Sequence, residues 1–358
     1  MMTSIHTPKE KNTLSDAHVK HGQQDSKSYS AGGAILLLLP LFVFSYSMRS
    51  VSFASIITNN INEFNQSSAG QITSVKPYFL YDEFLTFNYN GDLSVINFNA
   101  TDLFVANDVE LAKNVLLPGV GNKTIAYTRF YTFYAPSYDL YNNIDIQCGD
   151  LLDFYFDNLL FSSDANVSYK HYYSDDILSY LEPRLKADLR VPIPYAFLTP
   201  QFASGARIYA NEFIVFYTAA TQLHFPLTMD FSISSRFTFH HVMRPESEYI
   251  TPSEYADDPF FEKVNLNQTY DLDIFITKTF VKQQASVETH LNLFHKNFYA
   301  IEGIGRADGG LQVDLQYKKL LTRRLDFSVR ASTWINSSSV DDFDFVKSDL
   351  ELIFELLF

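Results

Sequence analysis

Charged residues recur at every second position in several stretches, and that spacing can do electrostatic work. Arg184, Lys186, Asp188 and Arg190 share one parity, as do Arg324, Asp326 and Arg330, and as do Asp349, Glu351 and Glu355. Arg207 and Arg236 stand on the polar parity of their own stretches. In a β-strand alternate side chains share a face, so each row becomes a charged stripe. Facing rows of opposite sign set up a transverse field that sorts charged solutes in a pore. The same rows can equally be ion-paired struts in a narrow, filled interior. Covalent chemistry has weaker candidates. His240 and His290 lie on polar parities and Ser232, Ser234 and Ser328 are available, but nothing distinguishes one serine and no Gly-x-Ser-x-Gly is present. His240 and His241 point to opposite faces of a strand and cannot share a metal. Gly303-Ile304-Gly305 is too little for a phosphate loop. The single cysteine, Cys148, excludes an internal disulfide and a multi-cysteine metal site. No catalytic residue, metal or cofactor is expected.

The elements that must carry these rows are strands. Leu181, Pro183, Leu185, Ala187, Leu189 and Val191 oppose the charges at 184–190. Met229, Phe231, Ile233, Phe237 and Phe239 oppose Asp230, Ser232, Ser234, Arg236 and Thr238. Similar alternation recurs at 150–158, 270–280, 287–293, 311–317 and 325–331. From Lys123 onward it predicts about 12 strands. Asn90-Gly91 between two aromatic-rich runs predicts a tight hairpin over 75–98, which would bring the total to about 14. Residues 108–117 carry a weak helical pattern that Pro118-Gly119 stops. The connections near 192–195, 226–228, 282–285 and 319–323 are short and interleave with longer ones at 244–267, 299–309 and 336–345. The loop 244–267 is acidic, with Glu246, Glu248, Glu254, Asp257, Asp258 and Glu262, and reads as exposed.

The closing stretch Val346–Phe358 alternates most strictly. Val346, Leu350, Leu352, Phe354, Leu356 and Phe358 occupy one parity, and Lys347, Asp349, Glu351 and Glu355 the other. An amphipathic last strand ending on phenylalanine resembles the end of bacterial outer-membrane β-barrel proteins. The resemblance covers only this strand and is to a broad class. It implies that Phe354, Leu356 and Phe358 form the signal read by the barrel-assembly machinery. It also implies a location in the outer membrane of a diderm bacterium, with the apolar parity against outer-membrane lipid. A soluble β-sandwich has the same alternation with its apolar face inside. The terminal phenylalanine, the sorting of connections by length and the supply of 33 Phe and 23 Tyr favour the barrel.

The N-terminal third is organised differently. The apolar run Gly33–Phe44 follows a polar lead and is short for a membrane-spanning helix. It suits a signal-peptide core, with Ser52-Phe53-Ala54 placing cleavage after Ala54. Residues 1–54 are then a signal peptide, 55–120 a plug, a periplasmic element or a first hairpin, and 121–358 an all-β, antiparallel transmembrane barrel. The formal net charge of −14 argues against nucleic acid as a partner. The expected activity is porin-like passage of small solutes. A structural or adhesive surface barrel with a filled lumen, and a plugged channel for hydrophobic substrates, stay open beside it.

Overall fold

In the computed structural model the chain forms one closed antiparallel barrel of sixteen strands. The described residues are 48–58, 70–82, 85–97, 101–117, 122–135, 142–156, 158–173, 179–210, 213–243, 267–301, 304–340 and 343–358. The strands run β1 Met48–Thr58, β2 Gly70–Asp82, β3 Thr86–Asn97, β4 Thr101–Leu117, β5 Asn122–Tyr134, β6 Asn143–Phe156, β7 Leu159–Tyr172 and β8 Tyr180–Ile193. They continue as β9 Ala196–Ile208, β10 Phe213–Thr228, β11 Phe231–Met243, β12 Asn267–Phe280, β13 Ala285–Ile301, β14 Ile304–Thr322, β15 Leu325–Ser338 and β16 Phe345–Leu357. Each strand pairs with its neighbours in sequence, and β1 closes the ring on β16.

The alternation decides which side is which. On β16 the even residues are the exposed ones, with Leu350 at 44% and Phe354 at 43%, while Asp349, Glu351 and Glu355 are half-buried. The parity carries across the seam, where Phe53 pairs with Phe354 on the outside and Ser52 with Glu355 on the inside. Followed round the ring, Ile335, Leu315, Leu293, Phe237, Phe202 and Leu185 are likewise exposed on the outer face. Such a face is stable only where hydrocarbon covers it, and closure pairs the backbone polar groups that hydrocarbon cannot solvate. Phe327 and Phe354 pack across the β15–β16 pair at 5.0 Å on this outer face. Aromatic side chains gather near one rim, where Tyr217, Phe239, His241 and Tyr270 run as a chain with ring centroids 5.1–6.2 Å apart. Phe154, Phe156 and Phe161 form a second group toward the opposite rim. Aromatic belts at both edges are what a bilayer-spanning barrel needs.

The two rims differ in their connections. On the rim where β1 starts and β16 finishes, the connections are 83–85, 118–121, 157–158, 194–195, 229–230, 281–284 and 323–324, none longer than four residues. The opposite rim carries the longer ones, including 59–69, 135–142 and 244–266. The acidic loop singled out in the sequence falls in this last interval, outside the described residues. Short turns are held individually. Asp230 accepts hydrogen bonds from Lys278 Nζ (2.6 Å) and Thr228 Oγ1 (2.6 Å), and the Lys278 ammonium holds its carboxyl below the usual range. Tyr195 completes the β8–β9 turn at φ 64°, a region that costs a non-glycine residue about 1 kcal/mol. Tyr195→Asn is therefore expected to raise the unfolding free energy of the detergent-solubilised barrel by up to about 1 kcal/mol, read as a shift in urea midpoint.

Several sequence expectations are corrected. The count of twelve strands from Lys123 matches β5–β16, but four more precede them, giving sixteen in place of about 12 or 14. Asn90-Gly91 makes no turn and lies inside β3, where Tyr89 folds over the glycine: a Cβ on Gly91 would sit 2.8 Å from its hydroxyl. The aromatic ring supplies the packing surface that glycine lacks, so the strand runs on through a dipeptide that locally favours turning. Residues 108–117 are part of β4, because ladder bonds to β3 and β5 outweigh a weak helical period. Pro226 lies within β10 beside a register shift, and the turn is at 229–230. The described parts of 55–120 build wall, β1 to β4, and form no plug. Ala54 lies inside β1, paired with Ile353 and Ser74, and seven of that strand's 11 residues lie ahead of a cut after it.

Candidate functional site

The inward face is polar on nearly every strand, and its charges are tied into cross-strand chains. On β12 to β15 one chain is continuous. His290 Nε2 lies 2.8 Å from Asp273 and its Nδ1 3.1 Å from Asp314, while Arg330 and Gln312 donate to Asp314 at 3.1 and 3.0 Å. Asn292 donates to Asp273 at 2.9 Å, and Phe275 stacks on the His290 ring at 4.4 Å. A carboxylate only accepts, so an imidazole between two of them is fully satisfied when both nitrogens donate. Asp314 is the most enclosed member, its side chain only 7% exposed. On β4–β5, Arg129 forks onto Asp108, Nε to Oδ1 at 2.7 Å and Nη2 to Oδ2 at 2.5 Å.

On β8 and β9, Arg207 Nε donates to Glu182 at 2.8 Å while its guanidinium lies against Tyr180 (5.4 Å) and Phe216 (5.6 Å). Beside it Tyr209, Ile214, Phe216 and Val242 form an apolar cluster on inward positions, with Ile214 only 2% exposed. This cluster thickens the wall near the long-loop rim. Phe216 also covers Gly205, where a Cβ would meet its ring at 2.5 Å. Phe294 covers Gly310 on β14 in the same way, and a Cβ there would also overlap the Ile335 carbonyl oxygen. Gly310→Ala is accordingly expected to cost about 1–3 kcal/mol through overpacking, measured as a lowered thermal or urea midpoint of the folded barrel.

The predicted residues sort as follows. Arg184, Lys186, Asp188, Arg190, Arg207, Arg236, Asp326, Arg330, Asp349, Glu351 and Glu355 all fall on inward positions by strand register. Arg324 does not: it sits in the 323–324 turn, where its carbonyl accepts from Leu357 N. Phe354 and Leu356 are on the outer face of β16, and Phe358 N donates to Arg49 O at 3.1 Å, so the last residue clips onto β1. Arg330 and Glu351 are register partners, while Lys186–Asp188 (3.8 Å) and Lys347–Asp349 (3.7 Å) lie along single strands. Sequence reasoning missed Asp273, Asp314, Arg129 and Asp108. The parity of Asp273 and Asp314 is legible in the sequence, but Asp108 falls in the stretch read as helical and Arg129 shares its face with Tyr127 and Tyr131, and all four partnerships depend on register.

Ring order brings the rows into relation. In a ring of sixteen, β8 and β16 are eight strands apart and stand across the lumen from each other. Arg184, Lys186 and Arg190 lie four, six and ten residues past Tyr180, where β8 leaves the long-loop rim. Asp349, Glu351 and Glu355 lie four, six and ten residues past Phe345, where β16 leaves the same rim. The two stripes therefore descend together, basic opposite acidic. Asp92, Asp108 and Glu110 extend the acidic side across β3 and β4, and Arg207 and Arg236 extend the basic side across β9 and β11.

The serine and histidine candidates do not assemble a catalytic group. His240 Nδ1 lies 2.7 Å from Thr218 Oγ1, and His290 is held by two aspartates. Ser234 does meet an imidazole, that of His224 at 2.6 Å, which sequence reading had passed over. The His224 ring faces Phe197 at 6.4 Å.

A closed sixteen-stranded barrel, apolar outside, charged inside, with aromatic belts and rims sorted by loop length, is a transmembrane β-barrel of the outer-membrane type. The solved structures it is similar to belong to that class. OpdK of Pseudomonas aeruginosa with vanillate has the same fold at a TM-score of 0.50, with 8% identity over 87% of this chain and 99% of that one. OprD of P. aeruginosa follows at 0.47, with 10% identity over 87% and 93%. OccK5 (OpdH) of the same organism gives 0.47, with 12% identity over 87% and 98%. No family model and no curated protein matches the chain.

Proposed function

We propose that this protein is an outer-membrane channel for passive diffusion or uptake of small solutes. The observation that carries the reading is the opposition of the basic stripe on β8 to the acidic stripe on β16 across a closed ring. Barrels of this strand number are wide enough to leave an aqueous lumen. Opposed charge within it orients dipolar solutes and slows apolar ones. The β9–β11 apolar cluster and the many ion pairs favour a second reading, a structural or adhesive barrel with a filled interior. Planar-bilayer recording separates the two. Stepwise currents from the purified full-length protein are expected, and silence at every voltage overturns the channel.

No catalytic role is proposed. Insertion through the barrel-assembly machinery, guided by Phe354, Leu356 and Phe358, belongs to the same reading, as does export by residues Gly33–Phe44. A cleavage point ahead of β1 would keep that strand whole. Ser45 and Ser47 are small residues two apart ahead of β1, and cleavage after Ser47 leaves Met48 as the first residue of the mature wall. Intact mass of the outer-membrane form is expected to match a chain starting there.

A further inference from the structure

The outer face of the barrel contains one anomaly. Followed through every strand register, the outward positions among the described residues include a single carboxylate, Asp150 on β6. Outward cations, such as Lys113, Lys278 and Lys319, lie toward the short-turn rim, where they reach headgroups. Asp150 lies between the aromatic belts, eighth in a strand of fourteen, and is exposed. Its cross-strand neighbours are both small, Ala126 on β5 and Ala165 on β7. It overlooks a groove of about 810 Å³ that runs over β6 to β10, floored by Ala165, Ser204 and Ala206 and edged by Leu185.

An ionised carboxylate against acyl chains is costly, and an acidic side chain within the membrane zone calls for a partner. That partner must itself be embedded at mid-height and must offer hydrogen-bond donors. The strand beside Asp150 carries such donors outward: Thr124 and Thr128 on β5 flank Ala126. We propose that the β4–β7 wall is the interface between two copies of this chain, related by a two-fold axis parallel to the barrel axis and passing between β5 and β6. That axis lays β6 of one copy on β5 of the other at equal height. Asp150 then faces Ala126 of its partner between two threonine hydroxyls, and the small residues let the walls approach closely. Cys148, outward on the same strand with its Sγ 3.6 Å from Thr128 Oγ1, comes near the axis. The inference uses the outer wall and the membrane fold; it is independent of what passes through the lumen.

The test is the mass of the full-length protein in mild detergent by light scattering, supported by a short bismaleimide acting on Cys148 in native membranes. A dimer is expected by both, with the cross-linked band lost in Cys148→Ser. Asp150→Lys, which places two cations at the axis, is expected to reduce the dimer at least tenfold, while Asp150→Asn retains it. Thr128→Leu is expected to weaken it independently, should Asp150→Lys fail to show the heat-modifiable mobility of a folded barrel. A monomer that gives no cross-link, or a dimer that Asp150→Lys and Thr128→Leu leave unchanged, overturns the interface and leaves this face to lipid. Silence in bilayer recording would sink the channel and leave this result standing.

Discussion

Exchanging Arg184, Lys186 and Arg190 together for glutamate is expected to swing the channel toward cations. Each replacement changes the inner wall by two charge units on the face opposite Asp349, Glu351 and Glu355. A unit charge about 10 Å from a passing ion contributes about 0.4 kcal/mol in water, which salt screening at 0.15 M reduces to about 0.1 kcal/mol. Three such replacements then amount to roughly 0.7 kcal/mol in favour of a cation and the same against an anion, about tenfold in the cation-to-anion permeability ratio. At 0.01 M salt the Debye length reaches about 30 Å, and the change should grow several-fold. Reversal potentials under a salt gradient measure it. The mirror exchange of Asp349, Glu351 and Glu355 for lysine is expected to shift the ratio the other way. An unchanged reversal potential in both variants would mean that ions do not pass between these walls.

Asp314→Ala is expected to be the most destabilising single change in the lumen. It removes the acceptor for Arg330, Gln312 and one nitrogen of His290 at once, from a side chain only 7% exposed. Breaking a largely buried charge network by deleting one member costs about 3–5 kcal/mol, because the partners remain without their counter-charge. Arg330 is 43% exposed and recovers part of this from water, which puts the expected loss toward about 3 kcal/mol. Asp314→Asn keeps the shape and one acceptor and should lose less. Urea midpoints of the folded barrel in micelles give both values. Equal stability of wild type and Asp314→Ala would show that the chain from Asp273 to Arg330 is ornamental to the fold.

Much of this molecule is readable before any coordinates. The residues of β8, β11, β15 and β16 alternate so regularly that their inner and outer faces follow from parity alone, as Leu352 and Glu351 show. Connection lengths mark out the short-turn rim, although the interval 299–309, expected to be one of the longer ones, narrows to 302–303. The reading falters where local signals contradict tertiary ones. Asn90-Gly91 looks like a hairpin turn, yet ladders to β2 and β4 keep β3 extended, with Tyr89 of the same strand folded over the glycine; the weak helical period at 108–117 is overridden by two ladders. The ring was read two strands too small because β1 overlaps the stretch taken as a signal peptide and β4 the stretch taken as helical.

What the sequence alone determined is which side chains share a face, because a pleated strand imposes a period of two on any chain that adopts it. What only the tertiary structure decided is which faces look at each other. The number of strands in the ring sets β8 against β16, the register joins His290 to Asp273 and Asp314, and the closed wall makes Asp150 the single outward carboxylate among the described residues. Opposition across a lumen is a property of the whole ring, so no window of sequence contains it.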